Sequence, residues 1–114
     1  MPTKSLILAN SRFSEIISLE RIVFFAANGS YCDVVLDDHR KILVSKNLHW
    51  FEKKTACDLF CRVHKSYIVN LQHISRIFHV EYKIILHDGT SIPLSRSKKQ
   101  LFWEKLEKIT SFAG

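Results

Sequence analysis

Phe60-Cys61-Arg62-Val63-His64-Lys65-Ser66-Tyr67-Ile68-Val69-Asn70 is a strand-like run whose apolar residues are repeatedly interrupted by hydrogen-bonding side chains. Successive side chains of a strand point to opposite faces. Arg62, His64 and Ser66 therefore fall on one side, and Val63, Lys65 and Tyr67 on the other, until the segment turns. The bend is placed near Lys65 and Ser66, with Lys65 reaching solvent while Ile68 and Val69 carry the chain back inside. Such a run predicts a strand pair that holds a loop rigid so that a few side chains can touch a partner.

Strand signals extend outward on both sides. Ile22 to Ala27 is a β-type run closed by Asn28-Gly29, a turn signal because both residues tolerate positive φ. Tyr31 to Leu36, the polar Asp37-Asp38-His39-Arg40 and Lys41 to Val44 read as a second hairpin. Near the N-terminus, Leu6 to Ala9 and Ile16 to Leu19, separated by Asn10-Ser11-Arg12, predict strand, turn and strand. Asn47 is placed to cap a short helix from Leu48 to about Ala56. Downstream, Ile74 to Phe78 and Tyr82 to Leu86 are strands, and His87-Asp88-Gly89-Thr90 predicts a type I′ hairpin into Ser91 to Leu94. Pro93 lacks a ladder donor and marks an edge strand. The period then becomes helical at Phe102, Leu106 and Ile109, and Ser97 with Gln100 forms a capping-box pattern that starts a helix near Ser97. The fold class is mostly β, with a short helix in the middle and a second at the C-terminus.

At 114 residues the chain is sized for one domain with one real core. Seventeen Lys and Arg against 11 Asp and Glu give a formal charge of +6, and the pI is about 9.4. On so small a surface this excess favours a polyanion, nucleic acid ahead of an acidic membrane; the plainer reading is solubility alone. Cys32, Cys57 and Cys61 are odd in number and lack framework spacing, so reduced thiols and a cytoplasmic location are expected. The apolar run Leu6 to Ala9 is too short for a signal peptide or a membrane span.

Two chemistries are disfavoured. Cys57-x-x-x-Cys61-x-x-His64 offers three zinc-type ligands but no source for a fourth. Ser66 beside His64 lacks a glycine-rich oxyanion loop and an orienting acid. The expectation is no metal, no cofactor and no catalysis. Trp50, Phe51, Phe102 and Trp103 read as core rather than as a base-stacking platform.

Arg62-x-His64-x-Ser66-x-x-Val69-Asn70, preceded by Phe60 and followed by Ile74, together with Asp88-Gly89-x-x-Ile92-Pro93-Leu94-Ser95-Arg96, resembles the LytTR-type DNA-binding domain of bacterial transcription regulators. Ile22 to Phe25, Asn28-Gly29-Ser30-Tyr31 and Ser45-x-x-Leu48 fall in the same order and spacing, so the resemblance spans about residues 15–110. It implies an elongated stack of small antiparallel β-sheets; the domain is expected over residues 15–114, with residues 1–14 an N-terminal segment of one strand. It further implies a sequence-specific regulator that binds double-stranded DNA through loops in the major groove, at paired direct repeats, with two copies per site.

Carried over position by position, the base-contacting residues would be Tyr31, Lys65 and Arg96. Their chemistry suits the role, because Arg and Lys can donate to guanine O6 and N7 and Tyr can bond a phosphate or touch a thymine methyl. Lys46, Lys98 and Lys99 lie beside these loops, and backbone N–H groups near Ser95 and Ser97 at the start of the last helix suit phosphate. Asn28, Ser30, Ser45, Arg62, His64 and Ser66 complete the backbone-contacting or supporting set. Arg62 and His64 have a second reading, holding the loop through backbone carbonyls, and Asn70 reads as closing the turn after the motif. No receiver domain or membrane segment precedes the motif, which implies a stand-alone regulator or part of a larger one. The rival is an interaction module of the same fold that binds a regulatory protein; one basic face at the loops favours DNA, and an exposed apolar patch there favours the protein.

Overall fold

A strand with no polar residue until its last position has to be covered on both faces. Ile22–Asn28 is such a strand, and in the computed structural model, which describes residues 4–114, it is the middle of the molecule. In chain order the strands are β1 (Ser5–Ala9), β2 (Ser14–Ser18), β3 (Ile22–Asn28), β4 (Tyr31–Leu36) and β5 (Lys41–Val44), then β6 (Phe60–His64), β7 (Tyr67–Asn70), β8 (Ile74–Phe78), β9 (Lys83–Leu86) and β10 (Ser91–Pro93). The helices are α1 (Leu48–Lys54), between β5 and β6, and α2 (Lys99–Ile109). A five-stranded antiparallel sheet runs β5-β4-β3-β7-β6, flanked by the β1-β2 hairpin and by a three-stranded sheet, β10-β9-β8.

The central sheet divides two cores. One packs Ile22, Phe25, Val34 and Ile68 against Leu8 and Ile17 of the hairpin and Phe51 of α1, with the Phe25 ring 4.6 Å from Phe51 and 5.7 Å from Phe60. The other packs Val23, Phe24, Val63 and Val69 against Ile84 and Ile92 of the small sheet and Phe102 of α2. Adjacent residues Val23 and Phe24 share the second core because the β3–β4 register slips between Ile22 and Phe24, a bulge that breaks the alternation. The envelope measures 48 × 30 × 24 Å, and the stacked small sheets agree with the mostly-β architecture expected from the sequence.

No packing boundary falls at residue 14. β1 pairs with β2 from Ser5↔Ser18 to Ala9↔Ser14, and Leu6 and Leu8 are buried in the same cluster as Leu19. The first three residues of the expected N-terminal segment lie outside the described residues.

Local chemistry sets the ends of the elements. Asn47 caps α1, its Oδ1 accepting the Trp50 N–H at 2.8 Å. The capping box expected at Ser97 does not form: Arg96–Lys98 is a 3₁₀ turn, α2 begins at Lys99 with no side-chain cap, and the Ser97 hydroxyl lies 3.0 Å from that of Ser95. Gln100 donates instead to Glu104. Pro93 sits on an edge strand, as its missing N–H requires.

The Asp88-Gly89 turn is not type I′. Only Gly89 has positive φ, 91°; its N–H donates to the Leu86 carbonyl, and Leu86 N–H donates to Thr90 O. This is a type I turn followed by a left-handed residue, the three-residue hairpin loop. Leu36 to Arg40 repeats it, with His39 N–H donating to Leu36 O and Leu36 N–H to Arg40 O, and here the left-handed residue is His39, φ 72°. Asp38 and Asp88 play matching parts, accepting the N–H two residues on. At the β3–β4 turn only Gly29 is left-handed, φ 61°, and Asn28 still pairs with Tyr31, so the loop is Gly29-Ser30.

Asn70, fully buried, joins these parts: its Nδ2 donates to Ile22 O at 2.9 Å and its Oδ1 accepts Gln72 N–H at 2.9 Å. Asn70→Ala leaves both backbone groups without their partner, and a loss of about 2 kcal/mol in urea unfolding is expected. His39→Gly should do the reverse, raising stability by about 1 kcal/mol in the same assay, because glycine adopts the left-handed conformation without the Cβ clash.

Candidate nucleic-acid interface

In an antiparallel sheet, successive connections alternate between the two ends. The Gly29-Ser30 loop, the segment after Val44 and the Lys65-Ser66 turn therefore share one end of the central sheet. Two backbone bonds fix that end. Ala27 N–H donates to Ser66 O at 2.9 Å, and Ser95 N–H donates to Val63 O at 2.7 Å, which brings the Arg96–Lys98 turn alongside β6. Tyr31, Lys65 and Arg96, from distant parts of the sequence, are all exposed there.

The β6–β7 turn is braced from inside. The register slips between Arg62↔Ile68 and His64↔Tyr67, so Val63 is the extra residue, and it is fully buried with Cys61 in the second core. Arg62 guanidinium donates to Lys65 O at 2.6 Å and His64 O at 3.4 Å and pairs with Glu52 of α1 at 3.0 Å. His64 Nδ1 accepts the Ser66 N–H at 3.1 Å, so the ring proton sits on Nε2 while that bond holds. Arg62, His64 and Ser66 are thus engaged within the protein, and Lys65 projects from a turn they fix.

The remaining candidates divide in the same way. Ser30, Ser45, Lys46 and Ser97 are exposed at or beside the loop end, whereas Asn28 Nδ2 is committed to Asp33 at 3.2 Å. Ser95 N–H is taken by Val63 O and Lys98 N–H by Ser95 O, so those two donors are not free for an anion. Lys98 is half-buried and lines a groove with Glu52, Arg62, Leu101 and Lys105. Lys99 lies over the Tyr82 ring at 5.1 Å and Lys46 over Trp50 at 5.4 Å.

Charge is distributed unevenly between the two ends. Among the described residues Lys46, Lys65, Arg96, Lys98 and Lys99 are in no ion pair. At the opposite end Arg21 bridges Asp37 and Asp38, and Arg40 bridges Asp38 and Glu15. The Arg40 side chain holds the Glu15 carboxyl below the ordinary carboxylate range, and the Arg40 backbone N–H, then its side chain, does the same for Asp38. One end is internally neutralised; the other keeps its positive charge.

The thiols offer no reactive centre at this end. Burial pushes the Cys32 thiol up to about 12 and raises that of Cys61. Among the described residues no three His, Cys, Asp or Glu side chains are grouped as metal ligands, and no helix is long and apolar enough to cross a membrane. Exposed apolar residues include Ile7 and Ile16, which pair across the β1–β2 hairpin, Leu43 of β5 and Leu101 of α2, the last beside Lys98. Tyr82 escaped the sequence reading. It lies under Arg96, and the left-handed backbone that puts it there leaves no mark in composition or periodicity.

The family model described as LytTr DNA-binding domain matches residues 14–107. The sensory transduction protein LytT of Bacillus subtilis (strain 168) is 34% identical over 85 residues, covering 72% of this chain and 35% of that protein. The transcriptional regulatory protein LytR of Staphylococcus aureus (strain N315) is 32% identical over 62 residues, 52% of this chain and 25% of that protein. The chain spans about a third or less of the length of these relatives. A solved LytTr DNA-binding domain from Bacillus cereus superposes with a TM-score of 0.78 at 22% identity, covering 91% of this chain and 97% of that one, and shares its fold.

Arg62→Ala removes the brace from the Lys65 carbonyl, so amide exchange at Ser66 is expected to accelerate severalfold, with a global loss of about 2 kcal/mol. Unchanged Ser66 protection, read by hydrogen-exchange NMR, would show that the turn holds without it.

Proposed function

As this chain belongs to the LytTr DNA-binding domain family, we propose that its loop end reads double-stranded DNA sequence-specifically, as the DNA-binding part of a bacterial transcription regulator. The observation that carries the reading is the gathering, at one end of the central sheet, of cations that are in no ion pair among the described residues. A phosphate backbone supplies that partner, and the release of its counterions supplies much of the affinity. The loops are presented to the major groove without a recognition helix.

In this reading Arg96 gives a bidentate pair to guanine, Lys65 donates to a purine acceptor from the tip of its turn, and Tyr31 touches a thymine methyl or a phosphate. Each good base contact contributes roughly 1–3 kcal/mol of discrimination. Ser30, Ser45, Lys46, Ser95, Ser97, Lys98 and Lys99 serve phosphates. Asn28, Arg62 and His64 support, since their side-chain polar atoms already hold the loops, and Ser66 supports through its backbone N–H and carbonyl. In this reading an extended face engages two grooves, and the domain is elongated, 48 Å in its longest dimension against about 34 Å for one helical turn of B-DNA. Two copies on paired direct repeats complete the site. The competing role, docking to a regulatory protein, places its partner on an apolar surface; the most exposed apolar pair in the strands, Ile7 and Ile16, is on the hairpin, while Leu43 and Leu101 are exposed singly nearer the loops.

Selection from a random duplex library at physiological salt should recover a spaced direct repeat bound at least about a thousandfold more tightly than a scrambled control. No enrichment would sink the DNA reading and favour the protein partner. With the selected duplex, Arg96→Ala should relax preference at one base position. Lys46→Ala should weaken all sequences about equally and lower the salt slope by about one unit.

A further inference from the structure

The residue before β9 is bent out of the strand. Tyr82 has φ 52°, one of two non-glycine residues in the left-handed region among those described, and a bulky side chain gains nothing from that conformation. It is held there. Tyr82 O accepts the Leu94 N–H at 2.8 Å, and the next residue, Lys83, pairs with Pro93, so the chain entering the Arg96 turn is fastened to Tyr82 by its backbone. So turned, the ring lies under two cations, Arg96 Cζ at 4.7 Å and Lys99 Nζ at 5.1 Å from its centroid.

An arginine can be held in place in two ways. A carboxylate would consume its N–H donors and cancel its charge, whereas an aromatic face attracts the cation and leaves the in-plane donors free. Arg96 is in no ion pair among the described residues. Lys65, in contrast, projects with neither kind of contact among the described residues. We propose that Tyr82 is a positioning residue for sequence readout, its strained backbone placing an aromatic platform that pre-orients Arg96 toward DNA with donors and charge intact. The assignment rests on the reading of Arg96 as a base contact.

The test measures affinity for the selected duplex and for variants of it at the base that Arg96 reads, using the full chain with Tyr82→Phe, Tyr82→Leu and Tyr82→Gly, each with Arg96 present and with Arg96→Ala. Tyr82→Phe should keep the discrimination at that base. Tyr82→Leu and Tyr82→Gly should each lose it by about fivefold, and neither should lose more once Arg96 is alanine. Tyr82→Gly relieves the backbone, so its loss of discrimination without loss of thermal stability separates positioning from folding. Discrimination that survives Tyr82→Leu while Arg96→Ala abolishes it would overturn the positioning role alone. Equal weakening on every duplex, in both Arg96 backgrounds, would overturn it too, in favour of a structural role. If Arg96→Ala leaves discrimination intact, the base-reading role fails first and the positioning role with it.

Discussion

The burial of β3 on both faces is the constraint from which the rest of the architecture follows. Ile22, Val23, Phe24 and Phe25 are consecutive and buried, so a single covering layer could not have removed them from water. The hairpin β1–β2 and α1 serve one face, and the small sheet and α2 serve the other. Placing β3 third among five strands also gives its backbone a partner on each side, β4 and β7. A chain of this size forms two modest cores around one shared strand in place of a single large one, and the connections that carry charge are left at the sheet's ends.

That division makes the two ends of the sheet chemically different. The strands leave one end through Asp37-Asp38-His39-Arg40 and neighbouring Arg21, where acids and bases satisfy one another. They leave the other through short turns carrying lysine, arginine and small hydroxyl residues, where the acids Asp33 and Glu52 are bound to Asn28 and Arg62. Connectivity thus brings five cations without an ion pair among the described residues to one end, from three turns and the start of α2.

Much of this was legible in the chain itself. The strands, the Asn47 cap, the Pro93 edge and the hairpin at Lys65-Ser66 rest on local chemistry, and local chemistry is written in adjacent residues. Within the central sheet antiparallel order decides which turns share an end, whereas the Arg96 turn, from the small sheet, is brought there by the bond from Ser95 to Val63. What escaped depends on tertiary demand. The bulges at Val23 and Val63 are register slips imposed by the need to fill two cores, and neither residue differs from an ordinary strand valine. The Ser97 and Gln100 pattern promised a cap, but a neighbouring serine offered Ser97 a different partner. Tyr82 sits in a conformation that sequence rules reserve for glycine or asparagine, and a fastening to Leu94 far along the chain accompanies it.

The brace on the central turn grips main-chain atoms. Arg62 meets residue 65 at its carbonyl oxygen, His64 meets residue 66 at its N–H, and Ala27 meets residue 66 at its carbonyl. Every amino acid supplies those carbonyls, and every one except proline supplies that N–H. The frame is accordingly indifferent to which side chain stands at position 65. A lysine there can give way to a shorter, neutral or aromatic residue without unfolding its support, so the tip is an interchangeable part on a fixed mount, and a lineage can explore new tips one substitution at a time.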